Sequence, residues 1–419
     1  MKITKKSQSL ISYFLDKDPR INQNKKKNRI LEILFDDLLN SYHYLHNIVK
    51  KNIGTEFYQI RIKQIMSVYH IPRPTNFNSY SFPHKIRKHI DESSLSEICF
   101  SFSLFERNIK LYFITEEDES RIHIPTYHKY VETIVMWLYI LNEYASKKCS
   151  LNFTVYFYFT SLEKKLPGTN IDILDENHVN TAFTTTCPRN SEIILFRKEE
   201  WFKVFMHETF HNFALDFSDM NTYTCNQRIL SLFPVNSQVN LFEAYTEFWA
   251  ELMNACFCSF FTLKNKDDFE EFVYYFDYYI DLERKYSFFQ MVKTLDFMGL
   301  RYRDLYSLRT ENSILRSTLY KEKTNVLSYY IIKTILLHHY PLFLEWCKLN
   351  NLSLLQFKKT NANLELFCEF IAKNYKSKTM LQSVKEMEEY LNMLKKVEKK
   401  DAKMNYLLHN MRMSICELG

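Results

Sequence analysis

Apolar positions divide the chain into an early part of mixed periodicity and a later part that is helical almost throughout. Ile30 to Val49 and Tyr130 to Tyr144 carry apolar residues at helical spacing. Ile98 to Phe105 and Ile109 to Thr115 are rich in β-branched and aromatic residues, which predicts a hairpin with Glu106 to Asn108 as its turn. Leu151 to Thr160 alternates as a sheet strand does, Glu192 to Phe196 reads as another strand, and Asn180 to Thr186 reads as a short edge strand. A helix is expected at about Lys198 to Leu215. The helical pattern then runs on to a last helix near Met380 to Lys400, where Val384, Met387, Leu391 and Leu394 form a stripe of ordinary core packing.

The expected fold class is α+β, in three parts. Residues 1–83 form a basic tail, a helix and a Pro-rich connector through Ile71 to Pro83. Residues 84–218 form an α/β unit with a small mixed sheet, and residues 219–419 form an all-helical unit, with a cleft between the two. Leu241 to Leu263 is the longest apolar candidate for a membrane span, but Glu243, Glu247, Glu251 and Asn254 interrupt it. Such a helix belongs inside a protein, so no membrane span is expected.

Composition changes this picture little. Hydrophobic residues make up 46% of 419, enough for a large interior and too much chain for one ordinary core. Thirty-five Phe, 29 Tyr and only 4 Gly point to the coding bias of an AT-rich genome. The net charge of +6 is spread out. Its one short run, Lys25 to Lys27, sits in a polar terminus without a binding motif, so no specific nucleic-acid partner is expected. Nine scattered Cys, with Cys256 and Cys258 the only close pair, read as reduced, buried thiols of a cytoplasmic protein. Met1 to Arg29 has no apolar run of signal-peptide length.

The chemistry concentrates in one segment, Phe205 to Ala214, which contains His207, Glu208 and His211. Two His four apart lie one turn from each other on one helix face, so both imidazoles can reach one Zn2+. Glu208 follows the first His and projects beside the metal, where it can take a proton from water whose pKa the metal lowers from about 15.7 towards 7. The surrounding Trp201, Phe202, Val204, Phe205, Met206, Phe210 and Phe213 make the helix strongly apolar. Its polar groups therefore face inwards or into a cleft and need partners.

A third protein ligand would leave one position open. The segment resembles the HExxH zinc peptidases, a zincin-like fold in which the sheet-bearing unit ends in the HExxH helix. The metzincin pattern fails, because Ala214 and Phe217 stand where it needs Gly and His or Asp. The gluzincins take a Glu from a second helix, often written Glu-x-x-Ala-Asp, and Glu247, Ala250 and Glu251 resemble that pattern with Glu in the last place. The resemblance implies Glu247 as metal ligand and Glu251 as partner of a His ring. Glu243 is the rival ligand, in which case Glu247 orients the ring. Asp216 reads as a helix-end or loop residue.

Glu199 to His211, Leu215 to Ser218 and Tyr245 to Ala250 also look like metallopeptidase-like proteins of giant DNA viruses, which would place the chain in host cytoplasm or a virion. Tyr329, Tyr330, His338 and His339 are candidates for an oxyanion donor, with Tyr330 taken as the choice. Asn180 and Ala182 are expected to bind an extended peptide along the edge strand. The function implied is zinc-dependent hydrolysis of peptide bonds in a peptide or protein substrate. An endopeptidase is favoured, because no Gly-rich run ending in Met-Glu-Asn is present to hold a substrate amine. The alternative is a zinc-binding scaffold with a structural or interaction role.

Overall fold

The computed structural model describes residues 1–15, 29–51, 57–75 and 81–419. Lys25 to Lys27 lie outside the described residues, as does part of the Pro-rich connector. Among the described residues the architecture is α+β, with sixteen α-helices and one six-stranded mixed sheet.

The strands are β1 (Gln59–Gln64), β2 (Ser96–Leu104), β3 (Arg107–Thr115), β4 (Asn152–Phe159), β5 (Ala182–Phe183) and β6 (Asn190–Leu195), in the order β1-β2-β3-β4-β6-β5. β1, β2 and β3 pair antiparallel; β3, β4 and β6 run parallel; β5 is antiparallel at the edge. The β2–β3 hairpin turns on Phe105 and Glu106, both at positive φ (52° and 60°), one step earlier than the sequence suggests. Two left-handed residues match the twist of the flanking strands. The helix Ile124–Tyr144, longer at its start than its apolar pattern shows, carries the chain from β3 over to the parallel β4. It covers one face of the sheet. On the other, the helix His84–Ser93 buries Ile86 and Ile90 with Phe82, Tyr156, Tyr158, Ile194 and Phe196. Covered on both faces, β4 from Val155 and β6 from Ile193 are apolar without a break, as parallel strands are, while their first residues are polar.

From β6 the chain passes directly into the helix Trp201–Asn212, called here the site helix, all twelve residues of which are buried. It packs against the helix Leu241–Thr262, called here the acid helix. One continuous cluster of buried apolar side chains reaches from Leu10 to Leu418 and includes both helices.

Several elements escape the periodicity. Within the expected basic tail, Lys5–Ile11 is a helix with Leu10 and Ile11 buried. β1 and the helix His84–Ser93 are too short and too polar to announce themselves. The expectation of nine reduced thiols fails for two of them: Cys149 and Cys187 form a disulfide, and the other seven Cys are free and buried. The register of β4 against β6, Asn152 opposite Asn190, brings together residues 38 apart in sequence. No helix among the described residues is long and apolar enough to cross a membrane.

A half-buried carboxyl on the helix Arg29–Lys51 gives a pH test. Tyr144 Oη donates to Asp37 Oδ2 at 2.5 Å, and burial nevertheless pushes the Asp37 carboxyl from 3.8 up to about 6. A raised carboxyl pKa means the folded state holds its proton more tightly, so stability is greatest below the unfolded value and falls as pH rises through the folded one. Asp37→Asn is expected to stabilise the protein at pH 7.5 by up to about 3 kcal/mol and to change little at pH 3. Thermal melts of both proteins across that range check it.

Candidate metal centre

The site helix begins at Glu200, a residue with φ of 58° that bends the chain out of the sheet. Its far end is clamped by Asn212. Ser150 Oγ and Ser191 Oγ donate to Asn212 Oδ1 at 2.5 and 2.8 Å, and Asn212 Nδ2 donates to Thr184 Oγ1 at 2.8 Å. The backbone N–H of Cys187 donates to the Asn212 carbonyl at 3.0 Å, so the disulfide braces the same helix end. Midway along, Trp137 Nε1 donates to Thr209 Oγ1 at 2.8 Å.

On this held helix the rings of His207 and His211 turn their Nε2 atoms to one point, 3.1 Å apart. Glu243 Oε2, from the first turn of the acid helix, lies 3.1 Å from His207 Nε2 and 3.3 Å from His211 Nε2. Metal–ligand bonds of about 2.0–2.1 Å at tetrahedral angles set ligand atoms about 3.3 Å apart, so the three atoms have the spacing of one face of such a site. His207, His211 and Glu243 are the one group among the described residues whose ligand atoms converge so that a metal ion could be held. The donor set of two imidazoles and a carboxylate fits zinc without being specific to it.

Glu247, expected as the ligand, is instead brought to the other side of the first ring. Its Oε2 sits 2.7 Å from His207 Nδ1, and its Oε1 accepts from Lys203 Nζ at 2.5 Å. The two acids are one turn apart, and the axial offset of the helices decides which reaches the Nε2 side. Asp216 serves His211 as Glu247 serves His207, bonding its Nδ1, while Thr246 Oγ1 donates to Asp216 Oδ2 at 3.3 Å and Ser218 Oγ to Oδ1 at 2.9 Å. Glu251 does not meet a ring: it accepts from Lys333 Nζ at 2.6 Å. The signals for the residues missed were a Lys four positions before His207 in an apolar helix, and an Asp five positions after His211.

Of the two adjacent tyrosines, Tyr329 and not Tyr330 meets the converging side chains. Tyr330 Oη donates to the Met411 carbonyl at 2.7 Å and is fully buried. Tyr329 Oη donates to Glu243 Oε2 at 2.8 Å, with its ring 5.9 Å from that of His207. Leu327–Ile332 is wound as a π-helix, which changes the phase of the turn and presents Tyr329 to the site. His338 and His339 lie elsewhere, bonding Thr379 and Ser377.

Burial dominates the electrostatics. It pushes the Glu208 carboxyl up to about 7, against the pull of His207 and His211 and with help from Glu243 and Glu247. Glu243 resists burial and is held well below the ordinary carboxylate range by His211 and His207. Burial alone would lower His211, but Asp216 and Glu243 hold it well above its usual value. Glu208, Asn180, Thr181, Ala182, Lys164, Tyr329 and Met413 line one recess with His207 and Glu247. The open space in it is only about 30 Å³, room for about two waters.

No protein-family model, curated protein or solved structure matches the chain.

The arrangement predicts that added Zn2+ or Co2+ binds at one ion per chain. Asp216→Asn, which leaves the three converging atoms in place but disturbs the His211 ring, is expected to weaken binding about 10–100-fold. Calorimetric titration of both proteins reads the difference.

Proposed function

We propose that the protein is a zinc-dependent peptidase of gluzincin type, with His207, His211 and Glu243 holding the metal. The observation that carries this reading is the convergence of those three ligand atoms, with one of them, His207, lining a recess together with Glu208. When bound, zinc would supply Lewis acidity, polarising a peptide carbonyl and acidifying water.

The remaining work falls to the chain's own groups. Glu208 takes the proton from the attacking water and delivers it to the departing amine nitrogen. Glu247 and Asp216 hold the two imidazoles in the tautomer that leaves Nε2 free to bind metal. Tyr329 Oη, which donates to Glu243 in the structure, would turn to donate to the oxyanion that develops on the carbonyl oxygen. The sheet order ends on β5, and Ala182 in β5 and Asn180 before it line the recess. An extended substrate would add to that edge as a further strand, fixed by backbone hydrogen bonds.

One observation favours the second reading, a zinc-binding scaffold. The segment Leu174 to Asn180 is tied to Glu322 to Thr324 beside the recess: Lys323 N–H donates to the Leu174 carbonyl at 2.9 Å and Thr324 Oγ1 to Asn180 Oδ1 at 2.8 Å. These ties hold the edge of the recess closed on itself, an arrangement that suits a scaffold.

Glu208→Gln separates the two readings. It is expected to keep one zinc per chain and to lower hydrolysis of a mixed peptide library by about 10²–10⁴-fold. Peptide products detected by mass spectrometry at equal rates from wild type and variant, or from neither, would favour the scaffold. Tyr329→Phe is expected to lower kcat/KM by about 10-fold or more, while Tyr330→Phe, which loses only a bond to the Met411 carbonyl, leaves it within about twofold.

A further inference from the structure

We infer that Lys203 is a positioning residue for the metal centre, acting on His207 through Glu247; this rests on the reading of His207, His211 and Glu243 as ligands. Lys203 stands one turn before His207 on the same helix, with its side chain only 3% exposed. Its ammonium binds Glu247 Oε1 at 2.5 Å and lies 4.0 Å from Glu200 Oε1. The other oxygen of Glu247 binds His207 Nδ1 at 2.7 Å. A carboxylate gripped at one oxygen by a fixed cation cannot rotate about its last bond, so its second oxygen is aimed. Helix spacing supplies the register: residues 203 and 207 are neighbours on one face, and one carboxylate from the facing helix spans both.

Another buried lysine paired with the acid helix shows what sets Lys203 apart. Lys333 binds Glu251 Oε1 at 2.6 Å, one turn further along the acid helix, yet no histidine takes the other oxygen of Glu251. That pair reaches no ring, whereas Glu247, bound by Lys203 at one oxygen, meets the His207 ring with the other. Polar groups behind a metal-ligating His typically govern affinity by about 10–100-fold, and here the chain of partners is one residue longer than carboxylate and His alone.

The test uses the full chain. Zinc affinity is measured by competition with a chromogenic chelator, and cobalt absorption spectra are recorded, for wild type, Lys203→Met, Lys203→Arg, Glu247→Gln and the double variant Lys203→Met/Glu247→Gln. Melting of the metal-free proteins is followed alongside. Lys203→Met is expected to bind zinc about 10–100-fold more weakly and to show an altered cobalt spectrum, and Lys203→Arg to restore both in large part. Should Lys203→Met fail to fold, the double variant, which buries no unpaired charge, still decides: its zinc affinity should equal that of Glu247→Gln, because Lys203 acts only through the carboxylate. Wild-type affinity and spectrum in Lys203→Met, or a double variant markedly weaker than Glu247→Gln, would overturn the inference alone. Wild type that binds neither zinc nor cobalt would overturn the metal reading and this inference together.

Discussion

A helix buried on every side must find partners for its polar side chains, and the helix Trp201–Asn212 carries six: Lys203, His207, Thr209, His211 and Asn212, which other elements meet, and Glu208, which lines the recess. Leaving such groups unpaired in a low-dielectric interior costs several kcal/mol apiece for charges. The surrounding elements are arranged around that constraint. Trp137 takes Thr209, Ser150 before β4 and Ser191 in β6 take Asn212, and the acid helix sends Glu243 and Glu247 to the lysine and the first histidine. Asp216, in the loop that follows, takes the second. The candidate metal centre is thus the polar face of a buried helix–helix contact.

The same rule organises the layer behind the site. Glu200, at the head of the site helix, pairs with Lys164 Nζ at 2.5 Å and accepts the backbone N–H groups of Met413 and Ser414 at 3.0 and 2.6 Å. Glu283 accepts Ser414 Oγ and the N–H groups of Ile415 and Cys416 at 2.6–3.0 Å. Asn410 to Glu417 therefore runs through the interior as irregular backbone that two buried carboxylates satisfy, and it delivers Met413 to the wall of the recess. Irregular chain can be buried only when its amides are met in this way. Gly419 then pairs with Lys2, closing the ends of the chain on each other.

What the sequence discloses follows from the range of each interaction. His207, Glu208 and His211 are legible because one helix fixes their relation, and the strands β2, β3, β4 and β6 because alternation is local. Glu243 and Glu247 share a helix face, so the pattern brings both to the site; the offset between two packed helices, a tertiary quantity, decides which meets Nε2 and which meets Nδ1. Tyr329 and Tyr330 are adjacent, and a π-turn absent from helical periodicity selects between them. The Cys149–Cys187 disulfide depends on the register of parallel strands joined by a long connection, and the buried course of Asn410 to Glu417 on carboxylates more than 130 residues away. None of these leaves a mark within a window of 15 residues or so.

The central claim is that three side chains from two helices share one metal. Crystals of the protein loaded with zinc, with anomalous data collected on both sides of the zinc edge, test it most directly. A single strong peak within bonding distance of His207 Nε2, His211 Nε2 and a Glu243 oxygen, about 2.0–2.2 Å from each, is the result expected. A peak bound by Glu247 in place of Glu243, or no peak between the two histidines, would contradict it.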